Sequence, residues 1–113
     1  MSFVVRPLSD ALGAEVIGLA ASRPIDEADF ARIHKAHLDH HVLVFRDQHL
    51  TPQQQIDFSR RFRSLDEHPS QADAHLAGYP DILVISTRKE NGRDVGIRNA
   101  GPMWHSDLAY RKQ

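Results

Sequence analysis

The stretch Met103-Trp104-His105-Ser106-Asp107-Leu108-Ala109-Tyr110 decides the reading of this chain. Its residues alternate in character, and the alternation predicts a β-strand. Side chains two apart on a strand point to the same face. A strand here therefore brings His105 and Asp107 to one point. One neutral imidazole and one carboxylate suit a divalent iron better than a soft-metal site. With one further histidine they would form a two-histidine, one-carboxylate triad, which leaves three positions on octahedral iron open for cosubstrate and oxygen. The spacing alone is a weak signal, because eight histidines in 113 residues produce it readily by chance. Trp104 alone reads as a core aromatic. The pair takes its meaning from the rest of the chain.

Upstream, the sequence predicts short strands over 3–7 and 14–18, with turn chemistry at Ser9-Asp10 and Gly13. Asp26 is a helix N-cap, and Ile25 and Phe30 stand at the positions of a hydrophobic staple. Phe30, Ile33, His34, His37, Leu38 and His41 recur at helical spacing and predict a helix over about 27–40 with that stripe facing the core. Val42–Phe45 reads as a buried strand. Thr51-Pro52-Gln53-Gln54 combines an N-cap, a proline at N1 and a glutamine at N3, and predicts a helix reaching about Phe62. The cluster Arg60-Arg61-Phe62-Arg63 reads as a solvated face. Residues 66–80 read as a loop, Ile82–Ile85 as a buried strand, Asn91-Gly92 as a tight turn, and 93–103 as irregular. Two early helices and late apolar strands predict an α+β, mainly β domain, with helices on one side of a mainly antiparallel sheet.

Composition sets outer bounds. Hydrophobic residues make up 41% and charged residues 26%, an ordinary globular balance. The formal net charge of -1 gives no electrostatic reason to expect nucleic acid or an anionic membrane. There are no cysteines, which excludes disulfides, thiolate metal sites and cysteine nucleophiles. No apolar run approaches the roughly 20 residues that span a bilayer, and the N-terminus lacks the pattern of a signal peptide. The expectation is a soluble cytoplasmic protein. His34, His37, His40 and His41 crowd into one segment; the simplest reading makes them surface or half-buried helix residues.

The segment Gly101–Tyr110 resembles the first metal-binding segment of the TauD/TfdA family, the taurine and 2,4-dichlorophenoxyacetate dioxygenases. Two upstream segments resemble that family in the same order and at matching separations. One is Val42-Leu43-Val44-Phe45-Arg46-Asp47-Gln48 with Leu50–Gln55, and the other is Phe62-Arg63-Ser64-Leu65-Asp66-Glu67-His68-Pro69. The resemblance covers essentially the whole chain. It implies a double-stranded β-helix, or jelly roll, flanked by two helices, with residues 1–113 forming a partial domain that lacks the C-terminal part of the barrel. It implies Fe(II) at His105 and Asp107, 2-oxoglutarate as cosubstrate and dioxygen as co-reactant. It implies a small anionic organic substrate of the sulfonate or aryloxyacid type, hydroxylated as 2-oxoglutarate is decarboxylated to succinate. A histidine placed like His68 helps bind the substrate's anionic group in taurine-type relatives; the structural alternative is a loop histidine before proline.

The family's second metal histidine and its 2-oxoglutarate-binding arginine lie far downstream of this pair, past Gln113. Arg46, Arg88 and Arg98 do not stand where the pattern puts that arginine. A jelly roll closes by pairing early strands with late ones, so this segment alone is expected to expose strand edges and an apolar face, which favours self-association into a homo-oligomer. Two alternative readings follow: a catalytically inactive fragment, and a cupin-like metal-binding module. Arg63 stands where relatives usually carry glycine after the second helix. Either that helix ends without a left-handed cap or the constraint is relaxed.

Overall fold

The computed structural model of the chain describes residues 3–65 and 74–107. The chain forms two compact units, 1–65 and 66–113. Within them lie two helices and several short sheets, a mixed architecture. No helix among the described residues is long and apolar enough to cross a membrane.

The first unit is built on a three-stranded sheet. Strands β1 (Val4–Pro7) and β2 (Ala14–Ile17) pair antiparallel. Ser9 shapes the turn between them: its hydroxyl accepts from the amides of Ala11 and Leu12 and donates to the Leu12 carbonyl. Helix α1 (Glu27–His40) starts as its sequence requires, with the Asp26 carboxylate accepting from the Asp29 amide at 2.7 Å. Strand β3 (Leu43–Val44) then pairs parallel with β2. The strand pairings among the described residues are mainly antiparallel, as expected, and this parallel one is the exception. A helix between two strands carries the chain back to the end where the first strand began, so the second runs parallel to it. The last turn of α1 is tied to β2. The Gly13 amide donates at 2.8 Å to the His40 carbonyl, one of the last carbonyls of the helix, and the Ala14 amide donates at 2.9 Å to the Val42 carbonyl just past it.

Phe3, Val16, Leu19 and Ile33 form the core, with Val5, Ile25, Leu43, Phe45 and Phe62 packed around it. The buried line of α1 is Ile33 and Ala36. The predicted stripe is therefore rotated: His34, His37, Leu38 and His41 are exposed. The imidazoles of His34 and His37 instead meet the Phe62 ring edge-on, at 6.2 and 5.8 Å between centroids.

Helix α2 (Pro52–Arg60) has the expected capping box, with Thr51 Oγ1 accepting from the Gln54 amide and Gln54 Oε1 from the Thr51 amide. It ends two residues earlier than expected, and without a left-handed residue. Arg61 is right-handed (φ -63°), and the amides of Arg61 and Phe62 donate to the carbonyls of Phe58 and Ser59. The last turn tightens to three-residue spacing, which settles why Arg63 can replace a glycine. Arg61 is not part of a solvated face. It donates to the Ile25 carbonyl at 2.5 Å, pairs with Glu27 at 2.9 Å and lies over the Phe30 ring at 4.4 Å, joining α2 to the start of α1.

In the second unit, β4 (His75–Leu76) pairs antiparallel with β5 (Tyr79–Leu83) across Ala77-Gly78. The predicted loop over 66–80 is thus strand from His75, apart from this turn, and its residues 66–73 lie outside the described part. The polar run with Gly78 and Pro80 marks a turn and an exposed strand residue rather than a continuous loop. Strands β6 (Lys89–Glu90) and β7 (Arg93–Asp94) pair across Asn91-Gly92 as expected, with φ of 51° and 75° at the two turn residues. The strand expected over Ile82–Ile85 is only half-buried, and Ile85 is exposed.

Glu15 is the buried charge of the first unit, 7% exposed in the middle of β2. Its carboxylate accepts from Arg6 of β1 at 2.5 Å and from Arg46, just past β3, at 2.9 Å. The Arg6 hydrogen bond, with the charges of Arg6 and Arg46, outweighs desolvation and holds the Glu15 carboxyl below its ordinary value of 4.5. A lowered folded pKa means that the ionised form favours folding. Its contribution is complete above pH 4.5 and is lost as pH falls through the lowered value. Denaturant unfolding across pH 7 to 3 is expected to show a larger acid loss of stability in the native chain than in Glu15→Gln. Parallel pH profiles for the two would refute the ion network's role.

Candidate functional site

The segment that carries the sequence-predicted pair belongs to the second unit and follows a contact at Ile97. There two stretches of chain run side by side: the Ile97 amide donates to the Val84 carbonyl at 2.9 Å, and the Ser86 amide to the Ile97 carbonyl at 3.0 Å. Gly96 permits this approach. A Cβ there would lie 2.5 Å from the Val84 carbonyl oxygen and 2.8 Å from Val84 Cγ1, distances that no side chain tolerates. Next along the chain, the Arg98 guanidinium donates to the Thr87 carbonyl at 3.0 Å and pairs with Asp94 at 3.1 Å. The backbone then turns at Gly101 (φ 64°) into the segment Met103–Asp107.

That segment is a bend and a turn, not the strand predicted from alternation. A strand is held by its ladder of hydrogen bonds to a neighbour, and among the described residues no strand pairs with 103–107. His105 and Asp107 nonetheless meet, through the turn rather than through a shared strand face. His105 Nε2 lies 3.0 Å from Asp107 Oδ1. His105 Nδ1 lies 2.6 Å from the Met103 carbonyl oxygen. A carbonyl oxygen can only accept, so Nδ1 carries the hydrogen and Nε2 faces the carboxylate. The Met103 hydrogen bond, followed by the charge of Asp107, raises the His105 pKa above its ordinary value of 6.5. The two side chains are 51% and 89% exposed, so their mutual attraction contributes little to stability. Trp104 is fully exposed and Met103 nearly so, against the expectation of a core tryptophan.

The arrangement suits one divalent ion. Two donors about 2.1 Å from an ion and at right angles stand about 3.0 Å apart, the separation seen between Nε2 and Oδ1. A ligating histidine commonly donates its other ring N–H to a carbonyl or carboxylate, which fixes tautomer and orientation; the Met103 carbonyl takes that part here. Among the described residues no third His, Cys, Asp or Glu joins the pair. His68 lies outside the described residues. The contributions of Met103, Gly96 and Gly101 were not anticipated from the sequence. Two glycines close upstream of the pair were the available signal.

A family model described as taurine catabolism dioxygenase TauD, TfdA family matches residues 5–113. The chain belongs to the TauD/TfdA family. An (S)-phenoxypropionate/alpha-ketoglutarate-dioxygenase of Delftia acidovorans is 32% identical over 120 residues, covering 94% of this chain and 37% of that protein. A taurine dioxygenase from Burkholderia xenovorans matches in structure with a TM-score of 0.64 at 37% identity, over 71% of this chain and 28% of that one. AAD-2 in complex with Mn(II) and N-oxalylglycine matches with a TM-score of 0.55 at 25% identity, over 66% and 33%. The chain therefore spans about a third of the length of these TauD/TfdA relatives.

Within this TauD/TfdA segment, Gly96 is expected to be irreplaceable for backbone alignment. Gly96→Ala should remove the Val84–Ile97 bridge, and hydrogen exchange should show the amides of Ile97 and Ser86 losing their protection. Unchanged protection at both amides would show that the close approach is not needed.

Proposed function

We propose that residues 1–113 form the N-terminal part of a jelly-roll dioxygenase dependent on Fe(II) and 2-oxoglutarate, with His105 and Asp107 as two of the metal ligands. The observation that carries this reading is the 3.0 Å approach of His105 Nε2 to Asp107 Oδ1, with Nδ1 committed to the Met103 carbonyl. The pair stands in the segment that matches a dioxygenase family. The presence of Mn(II) in the AAD-2 complex is consistent with a divalent-metal site in this family.

In this reading His105 offers a neutral imidazole and Asp107 a carboxylate that offsets part of the ion's charge. The Met103 carbonyl holds the ring so that its lone pair lies on Nε2. Iron bound there would supply the activation of dioxygen that couples oxidation of substrate to decarboxylation of 2-oxoglutarate. The remaining ligands, and the group that holds the cosubstrate's distal carboxylate, come from outside the described residues. The substrate class is a small organic anion, an aryloxyacid or a sulfonate, in keeping with the names of the phenoxypropionate and taurine relatives. The resemblance of Phe62–Pro69 to the family supports a part for His68 in binding that anion.

The reading is tested in a chain of the relatives' length that carries this segment. Succinate formed from 2-oxoglutarate with Fe(II) is measured for the native sequence and for His105→Ala. Loss of a direct ligand is expected to lower the rate by more than about 100-fold, beyond the range typical of outer partners. Full coupled succinate formation by His105→Ala would remove the assignment.

A further inference from the structure

We infer that Gly101 is a positioning residue for the metal pair: the absence of a side chain at Gly101 is what lets the His105 imidazole lie where both of its nitrogens are engaged. The inference rests on the reading of His105 and Asp107 as metal ligands. Gly101 takes φ 64°, a left-handed conformation. The imidazole occupies the space that a side chain at Gly101 would enter. A Cβ at Gly101 would lie 2.7 Å from His105 Cε1, 3.3 Å from Nε2 and 3.7 Å from Nδ1. The first contact is closer than carbon atoms approach without displacement.

The ring is half exposed and can move only by giving up its contacts. Nδ1 is held by the Met103 carbonyl at 2.6 Å, and Nε2 faces Asp107 at 3.0 Å. Rotation away from a new Cβ lengthens one of these contacts or both. Gly101 thus acts through His105. It touches neither ion nor substrate, and its contribution is the orientation of a ligand.

Other glycines of the same unit separate this steric effect from backbone strain. Gly92 has φ 75° with no atom within 4 Å of a Cβ placed there. Gly92→Ala therefore imposes left-handed strain without a clash. Asparagine tolerates left-handed backbone better than most residues, so Gly101→Asn relieves strain while keeping the Cβ.

The test uses a chain of the relatives' length that carries this segment, with Mn(II) as probe, read by paramagnetic broadening of the His105 Hε1 resonance. Gly101→Ala and Gly101→Asn are expected to weaken Mn(II) binding by about tenfold, the effect of disturbing a ligand's orientation. Gly92→Ala should leave it unchanged. Native-like affinity in Gly101→Asn would overturn the inference, as would equal loss in Gly92→Ala. The metal-free chain supplies an independent readout, a cross-peak between Gly101 Hα and His105 Hε1. If Mn(II) does not broaden His105 in the native chain, the ligand reading fails, and this cross-peak alone decides the placement of the ring. Its absence overturns the inference.

Discussion

The hydrogen bond from His105 Nδ1 to the Met103 carbonyl, 2.6 Å long, is the contact on which the candidate site depends. It engages Nδ1 and turns Nε2 toward Asp107. Everything that makes the contact possible lies within seven residues. Gly101 supplies a left-handed turn and an open space for the ring, Met103 supplies the acceptor, and Asp107 closes the turn from the other side. The pair is therefore a local construction. It does not need a strand to bring its members together, and the described segment forms none.

Local closure of this kind recurs in the fold. In the first unit, the amides of Gly13 and Ala14 take up the carbonyls of His40 and Val42, so the end of α1 and the start of β2 are joined before β3 begins. In the second unit, the contact of Gly96 with Val84 brings the chain into register just ahead of the site. Short strands gain little from their own ladders. Single backbone contacts at their ends decide where the chain goes next.

What the sequence disclosed follows this division. The Asp26 cap, the Thr51–Gln54 box and the Asn91-Gly92 turn were legible because each is a bargain between neighbours, written in residues three or fewer apart. The parallel pairing of β2 with β3 was not, since it joins residues that no local pattern links. The stripe on α1 was misplaced because bulky histidines suggested a buried face, whereas Ala36 fits against the sheet and His34 and His37 lie at the rim beside Phe62. Glu15 gave no sign of burial, because the two arginines that neutralise it come from other elements. The His105–Asp107 pair was legible as a pair, but the reason offered for it, a shared strand face, gives way to the turn. Family membership was legible because three segments matched in order and spacing, and the family model covers residues 5–113.

The central claim is that His105 and Asp107 bind one divalent ion between them. Anomalous diffraction from crystals of the chain soaked in Mn(II) tests it most directly. The account predicts a peak about 2.0–2.2 Å from both His105 Nε2 and Asp107 Oδ1. A peak at the exposed histidines of α1, with none between His105 and Asp107, would contradict it.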